Sequence, residues 1–264
     1  MSGPPDRVGG IAWEAAGDGP PLLLLHAGIC DRRMWDPQWE RFAGAHRVIR
    51  FDERGCGESD DPTAPWSPVE DAAAVLDAAA VERAAVVGVS SGGEVALDLA
   101  LELPDRVSAL VMVSAVPSGW PAPELLETMM SVVDSACERQ EFDIANEVDL
   151  QLWVDGPHRK PGGGPAEVRE QIRDVNLGLL ERACGFDAEP IRQRHAAVHR
   201  IETLEPPLLL VVGSLDHPHV LEAAAWLEDW AGAARHEIEA AHLPNLERPD
   251  EFAAAVEAFL AEST

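Results

Sequence analysis

The chain has 264 residues, 46% hydrophobic and 25% charged, ordinary proportions for a packed protein that exclude a disordered or collagen-like chain. Twenty basic residues stand against 47 acidic ones, a formal net charge of -27. Such a charge repels phosphate backbones and anionic lipid headgroups, which argues against nucleic acid and membrane surfaces as partners.

Residues 1–7 carry no basic-then-apolar leader, and no apolar run approaches the ~20 residues needed to span a bilayer. The expectation is a soluble, cytoplasmic protein, working as a monomer or a homodimer. Cys30, Cys56, Cys137 and Cys184 are scattered and form no C-x-x-C pair, so they read as reduced structural thiols rather than a disulfide framework or a zinc site.

In chain order, short apolar runs at 22–25, 48–51, 84–89, 110–113 and 208–212, each bounded by turn residues, predict buried strands. Helical patterns between them predict a mostly parallel sheet with helices on both faces. Ser67-Pro68-Val69-Glu70 joins an N-cap serine, a proline at the first helical position and a glutamate three residues on, and so starts a helix running to about Val81. A second helix is predicted at 94–103, stopped by Pro104. Residues 117–205 differ, with helical patterns, the pair Met129 and Met130 and a Pro161-Gly162-Gly163-Gly164-Pro165 break, but no strand-like run. They read as a helical lid inserted into a core made of 1–116 and 206–264. A short strand pattern at 235–240 precedes a final helix whose apolar stripe is Phe252, Val256, Phe259 and Leu260.

Chemistry concentrates at Gly88-Val89-Ser90-Ser91-Gly92, a G-x-S-x-G pentapeptide with a strand before it and a helix after it. That setting defines a nucleophile elbow, with the Ser90 hydroxyl lifted at the strand end. Serine is a weak nucleophile until a base takes its proton. In this arrangement an acid and then a histidine follow the serine in the chain. Asp216, after the 208–212 strand, and His242, in the loop after 235–240, stand at those places; His217 and His219 lie too close to Asp216, and His195 and His199 fall in the lid. An oxyanion hole needs two N–H donors, for which Ser91 and Gly28 are the candidates.

The chain resembles the α/β-hydrolase fold family over nearly its whole length. The resemblance rests on His26-Ala27-Gly28 with Met34-Trp35, on Asp52-Glu53-Arg54-Gly55-Cys56-Gly57-Glu58-Ser59, on the Ser90 elbow, on Gly213-Ser214-Leu215-Asp216 and on Ala241-His242-Leu243-Pro244-Asn245-Leu246-Glu247. Ala27 departs from the family's usual His-Gly pair. Within the family, Met34-Trp35-Asp36-Pro37-Gln38 and Trp153-Val154-Asp155-Gly156-Pro157 look most like the branch of 3-oxoadipate enol-lactonases and related esterases. The resemblance implies a serine hydrolase of a small carboxylic ester or lactone, with a Ser90, Asp216 and His242 triad and no cofactor. Carbon–carbon bond hydrolases, cofactor-free oxygenases and small-molecule receptors share the scaffold; dehalogenases and epoxide hydrolases of this fold carry aspartate where Ser90 stands. Trp35, Trp120, Met129, Met130 and Trp153 are candidate pocket residues. His195 and His199, four apart, lack the glutamate of an H-E-x-x-H metal site, so no metal is expected.

Overall fold

The computed structural model describes residues 5–183, 185–186, 188–191 and 196–263. Its centre is an eight-stranded sheet ordered β1-β2-β4-β3-β5-β6-β7-β8. The strands are β1 (Asp6–Val8), β2 (Ile11–Ala16), β3 (Pro21–Leu25), β4 (Arg47–Phe51), β5 (Ala84–Val89), β6 (Val107–Val113), β7 (Leu208–Gly213) and β8 (Ala234–Ile238). Pairing is parallel from β4 through β8 and antiparallel only where β1 meets β2 and β2 meets β4.

All six predicted strands form. Two more, β1 and β2, escaped the sequence reading. They pair antiparallel at the sheet margin, and β1 is too short and too exposed to show an apolar run.

Side chains alternate across each strand, so every central strand feeds two cores. Leu23, Leu25, Val86, Leu110, Leu210 and Val212 join one cluster, roofed by the helices Pro68–Ala78 and Ser91–Glu102. Leu22, Leu24, Val87, Val111 and Val211 join the other, with Phe42, Phe252 and Val256 from the helices on the opposite face. The helices are α1 (Asp36–Ala43), α2 (Pro68–Ala78), α3 (Ser91–Glu102), α4 (Glu124–Glu138), α5 (Phe142–Asp149), α6 (Ala166–Ala183), α7 (Pro218–Ala231), α8 (Pro244–Glu247) and α9 (Pro249–Ser263).

Local signals set the helix ends. Ser67 accepts the Glu70 N–H at 3.2 Å and caps α2 as predicted. The helix stops at Ala78, short of Val81, because Ala80 turns to a φ of 53°. On α9, Phe252, Val256 and Leu260 are buried along the predicted stripe. Between β6 and β7 lie α4, α5, a π-helical turn Leu150–Asp155 and α6, with no strand among the described residues of that segment.

A buried charge network steadies the loops that cross the end of the sheet. Asp52, fully buried, accepts the N–H groups of Arg32 and Glu58, each at 2.8 Å, and pairs with the Arg32 guanidinium. Arg54 forks onto Asp71 through two 2.8 Å bonds, holding the turn after β4 against α2.

Candidate active site

Parallel strands present their carboxyl ends at one edge, the place where open α/β sheets gather functional groups. Strand β3 delivers His26 to Gly28 there, β5 delivers Ser90, β7 delivers Asp216 through one turn, and β8 delivers His242.

Ser90 sits between β5 and α3 with φ 54° and ψ −119°, a conformation L residues seldom adopt and which costs about 1–3 kcal/mol. The neighbours hold it there. Its N–H donates to the Val113 carbonyl at 2.9 Å, while its own carbonyl accepts from Gly93 at 2.9 Å and Glu94 at 3.0 Å. The flanking glycines are steric requirements: a Cβ on Gly88 would lie 2.1 Å from the Gly92 carbonyl oxygen, and one on Gly92 would lie 2.5 Å from that of His26.

Ser90 Oγ lies 2.9 Å from His242 Nε2, and His242 Nδ1 lies 3.0 Å from both carboxylate oxygens of Asp216. The partners fix the tautomer, because an ionised carboxylate only accepts. Nδ1 therefore carries the proton and donates to Asp216, leaving Nε2 to accept from the Ser90 hydroxyl. Burial opposes the charge on Asp216, yet the His242 ring and the His217 N–H, which donates to Oδ1 at 2.7 Å, hold the carboxyl below its ordinary range. Asp216 is fully buried and His242 nearly so, whereas Ser90 is partly open.

His26 organises the loop opposite. Its Nε2 accepts the Glu53 N–H at 3.0 Å, so Nδ1 bears the proton and donates to the Ala27 carbonyl at 2.8 Å. Ala27 and Cys30 close a tight turn at 2.9 Å, which brings Gly28 to face Ser91: a Cβ on Gly28 would lie 3.3 Å from Ser91 Oγ. At the start of α3 the Ser91 and Gly92 N–H groups have no acceptor one turn earlier within the helix and carry the positive end of its dipole.

The five pocket candidates separate. Trp153, on the π-helical turn, lies against His242 with ring centroids 4.6 Å apart. Met129 lines a cavity of about 540 Å³ between α4 and the start of α7, together with Leu126, Leu152 and His217. Trp35 is a correction: it is fully buried against Phe252 in the core, 6.1 Å between centroids, because its short 3-10 turn packs down onto α9 rather than up to the site. Trp120 packs on Trp226 of α7 at 5.5 Å, and Met130 points outward at 49% exposure; neither lines either of the two cavities near the site.

Neither of the two cavities is lined by Ser90, Asp216 or His242, although His217, next to Asp216, lines the larger. The second, of about 420 Å³, is walled by Glu53 and by Ser91, the residue after Ser90. Its position against the elbow makes it the more relevant to chemistry at Ser90.

Glu53 and His217 were not singled out as site residues from the sequence. Glu53 lay hidden within a turn whose motif reads as structural. His217 supports Asp216 with its N–H, and its Nε2–H donates to the Leu152 carbonyl at 2.8 Å, tying α7 to the π-helical turn. Adjacency to Asp216 was its only sequence signal.

His199 lies on a 3-10 turn rather than an α-helix, and His195 and Cys184 lie outside the described residues. No group of three His, Cys, Asp or Glu side chains suited to a metal occurs among the described residues. Cys30 and Cys56 form no disulfide among the described residues, and burial raises the Cys30 thiol far above its usual range, which suits packing rather than nucleophilic attack. No helix among the described residues is long and apolar enough to cross a membrane.

Comparison with known proteins agrees with this geometry. Residues 22–255 match the model of the alpha/beta hydrolase family. The 2-hydroxymuconate semialdehyde hydrolase of Pseudomonas sp. strain CF600 is 29% identical over 94% of this chain and 89% of its own. The 3-oxoadipate enol-lactonase 1 of Acinetobacter baylyi is 25% identical over 88% and 85%. A 40% identical match to the carbamate hydrolase RutD of Azorhizobium caulinodans spans only 42% of this chain and 41% of that one. Among solved structures, a thermophilic esterase from Thermogutta terrifontis superposes with a TM-score of 0.77 at 26% identity, covering 96% of this chain and 93% of that one. With the sheet order, the elbow and this breadth of similarity together, the chain belongs to the alpha/beta hydrolase family and is a hydrolase.

Proposed function

We propose that the protein hydrolyses a small carboxylic ester or lactone with Ser90 as nucleophile, His242 as base and Asp216 as the acid that holds the base. The observation that carries this reading is the unbroken line of hydrogen bonds from Ser90 Oγ through both nitrogens of His242 to Asp216. His242 takes the serine proton as Oγ bonds to the substrate carbonyl carbon, and Asp216 stabilises the imidazolium. The charge that develops on the carbonyl oxygen is received by the backbone N–H groups of Ser91 and Gly28. As the tetrahedral intermediate collapses, the ester C–O bond breaks and the departing alkoxide takes the proton from His242. Water, deprotonated in turn by His242, then attacks the acyl-enzyme and frees Ser90. These steps call on no cofactor.

In this reading 117–205 is a cap over the sheet edge; the helices of that segment and the Trp153 contact with His242 support it. Hydrolysis of p-nitrophenyl acetate or butyrate tests the activity, and a fluorophosphonate mapped by mass spectrometry tests the nucleophile. Labelling at Ser90 and loss of turnover in Ser90→Ala are expected; turnover unaffected by that substitution sinks the assignment. The long match to a 2-hydroxymuconate semialdehyde hydrolase makes that semialdehyde the second substrate to assay. Turnover of neither substrate class, together with no labelling at Ser90, overturns the ester or lactone reading.

A further inference from the structure

We infer that the cavity beside Ser90 contains a hydroxyl-recognition subsite, in which the Glu53 carboxyl and the Ser91 hydroxyl together bind a hydroxyl substituent carried by the substrate. The inference rests on the ester or lactone reading for where the substrate lies, and on independent observations for what the subsite recognises.

Glu53 Oε1 and Ser91 Oγ are both shut off from solvent, and neither has a hydrogen-bond partner among the described residues. Both residues line the same cavity of about 420 Å³. Buried polar atoms are nearly always paired, because leaving one unpaired forfeits its hydration without return. Two residues that carry such atoms line one cavity, one of them directly after Ser90, and a ligand there supplies the missing partners once the two side chains turn toward it. Another polar side chain on that wall is already engaged: Asp98 accepts the Ser118 hydroxyl at 2.8 Å.

The chemistry of the pair selects the ligand. A carboxyl oxygen accepts a hydrogen bond, and a serine hydroxyl donates or accepts one. An alcohol hydroxyl meets both demands, donating to Glu53 and accepting from Ser91, whereas a ketone, ether or carboxylate substituent has no proton to give. Glu53 is positioned from its backbone, since its N–H is fixed on His26 Nε2 at 3.0 Å, so the side chain is free of that duty. Burial raises the carboxyl above its ordinary range, and it offers an acceptor oxygen whether ionised or protonated.

A site built to pair a substrate hydroxyl discriminates against the analogue that lacks it, because the protein groups are then left bare. Two matched pairs test this. Ethyl 3-hydroxybutyrate against ethyl butyrate places the hydroxyl on the acyl side, and 2-hydroxyethyl butyrate against propyl butyrate places it on the alcohol side. In one of the two pairs kcat/KM favours the hydroxylated ester by about tenfold or more, the ratio collapses toward unity in Glu53→Leu, and Glu53→Gln, which keeps an acceptor oxygen, restores part of it. The ratio is internal to each variant, so a general loss of folding or turnover does not move it.

Binding of the same four esters to Ser90→Ala and to Ser90→Ala/Glu53→Leu, followed by calorimetry, reads the subsite without catalysis. Tighter binding of a hydroxylated ester to the single variant, lost in the double variant, supports the subsite even if the wild-type protein proves inactive on esters, an outcome that would reject Ser90 hydrolysis alone. Equal binding and equal kcat/KM within both pairs overturn the subsite while leaving the Ser90 reading intact.

Discussion

Trp153 lies over the His242 ring at 4.6 Å, tilted by 42°, and presents an edge contact to His217 at 5.4 Å. One indole thus touches the ring that faces Ser90 and the residue whose N–H supports Asp216. Aromatic pairs of this kind contribute about 0.5–1.5 kcal/mol beyond the area they bury. Trp153→Ala is expected to lower kcat/KM on p-nitrophenyl butyrate by about tenfold, roughly the upper end of that range, while Trp153→Phe retains most activity. Steady-state kinetics of the two variants decide it; an unchanged Trp153→Ala enzyme would show that the contact only packs the helical segment between β6 and β7.

Asp216 is the charge that sets the His242 tautomer. Asparagine there keeps the volume but lets its NH2 face Nδ1, which places the imidazole proton on Nε2 and removes the acceptor for Ser90. A loss of about 10⁴ in kcat is the order expected for such a change in a Ser-His-Asp triad. Full fluorophosphonate reactivity in Asp216→Asn would contradict the role given to it.

Gly28 and Gly92 offer a steric contrast in one small region. A Cβ on Gly28 meets Ser91 Oγ at 3.3 Å, the end of a side chain that can rotate, and Ser91 Cβ at an ordinary 3.9 Å. On Gly92 it would meet the His26 carbonyl oxygen at 2.5 Å and the Leu25 backbone at 2.8 Å, which cannot yield without moving β3. Gly28→Ala is therefore expected to fold with less than about 1 kcal/mol of change yet lose activity as the added methyl crowds the oxyanion position. Gly92→Ala is expected to lose about 3 kcal/mol or more, the upper range for overpacking. Thermal melts of both proteins, run beside activity assays, separate the two outcomes.

Asp149 gives the helical segment a pH signature. It is buried, and its Oδ2 accepts the Asn176 Nδ2–H at 2.9 Å. Burial pushes its carboxyl up to about 6, against that bond and with the help of Asp134. A folded-state pKa above the unfolded one stabilises the protein fully at low pH, and that stability is lost as pH rises from about 4 through 6. Asp149→Asn removes the cost of ionising in place, so it is expected to raise stability near pH 8 by on the order of 1–3 kcal/mol relative to wild type. The advantage should vanish near pH 4. Denaturant titrations at the two pH values check the sign, and an equal difference at both would exclude ionisation as the cause.

The sequence by itself determined the central strands, the serine elbow and the order of serine, acid and histidine. These are local properties: an apolar run bounded by turn residues, a helix cap at Ser67, and a glycine-flanked serine between strand and helix specify structure within a few residues. Strand β1 escaped because a three-residue edge strand carries no periodicity to read, and β2 because Ile11–Ala16 mixes alanine and glutamate with its apolar residues and shows no continuous apolar run. Which aromatic residues reach the site was not legible for a related reason. Trp35 and Trp153 occupy similar motif-like settings, yet one is buried on Phe252 and the other lies on His242, since the direction of a side chain depends on what packs beneath its turn. Distance along the chain hid the rest. Ser90 and His242 are 152 residues apart, and their 2.9 Å contact exists because parallel strands bring distant carboxyl ends to one edge. Only that convergence decided that Glu53, placed by sequence in a structural turn, shares a cavity wall with Ser91, the residue after Ser90.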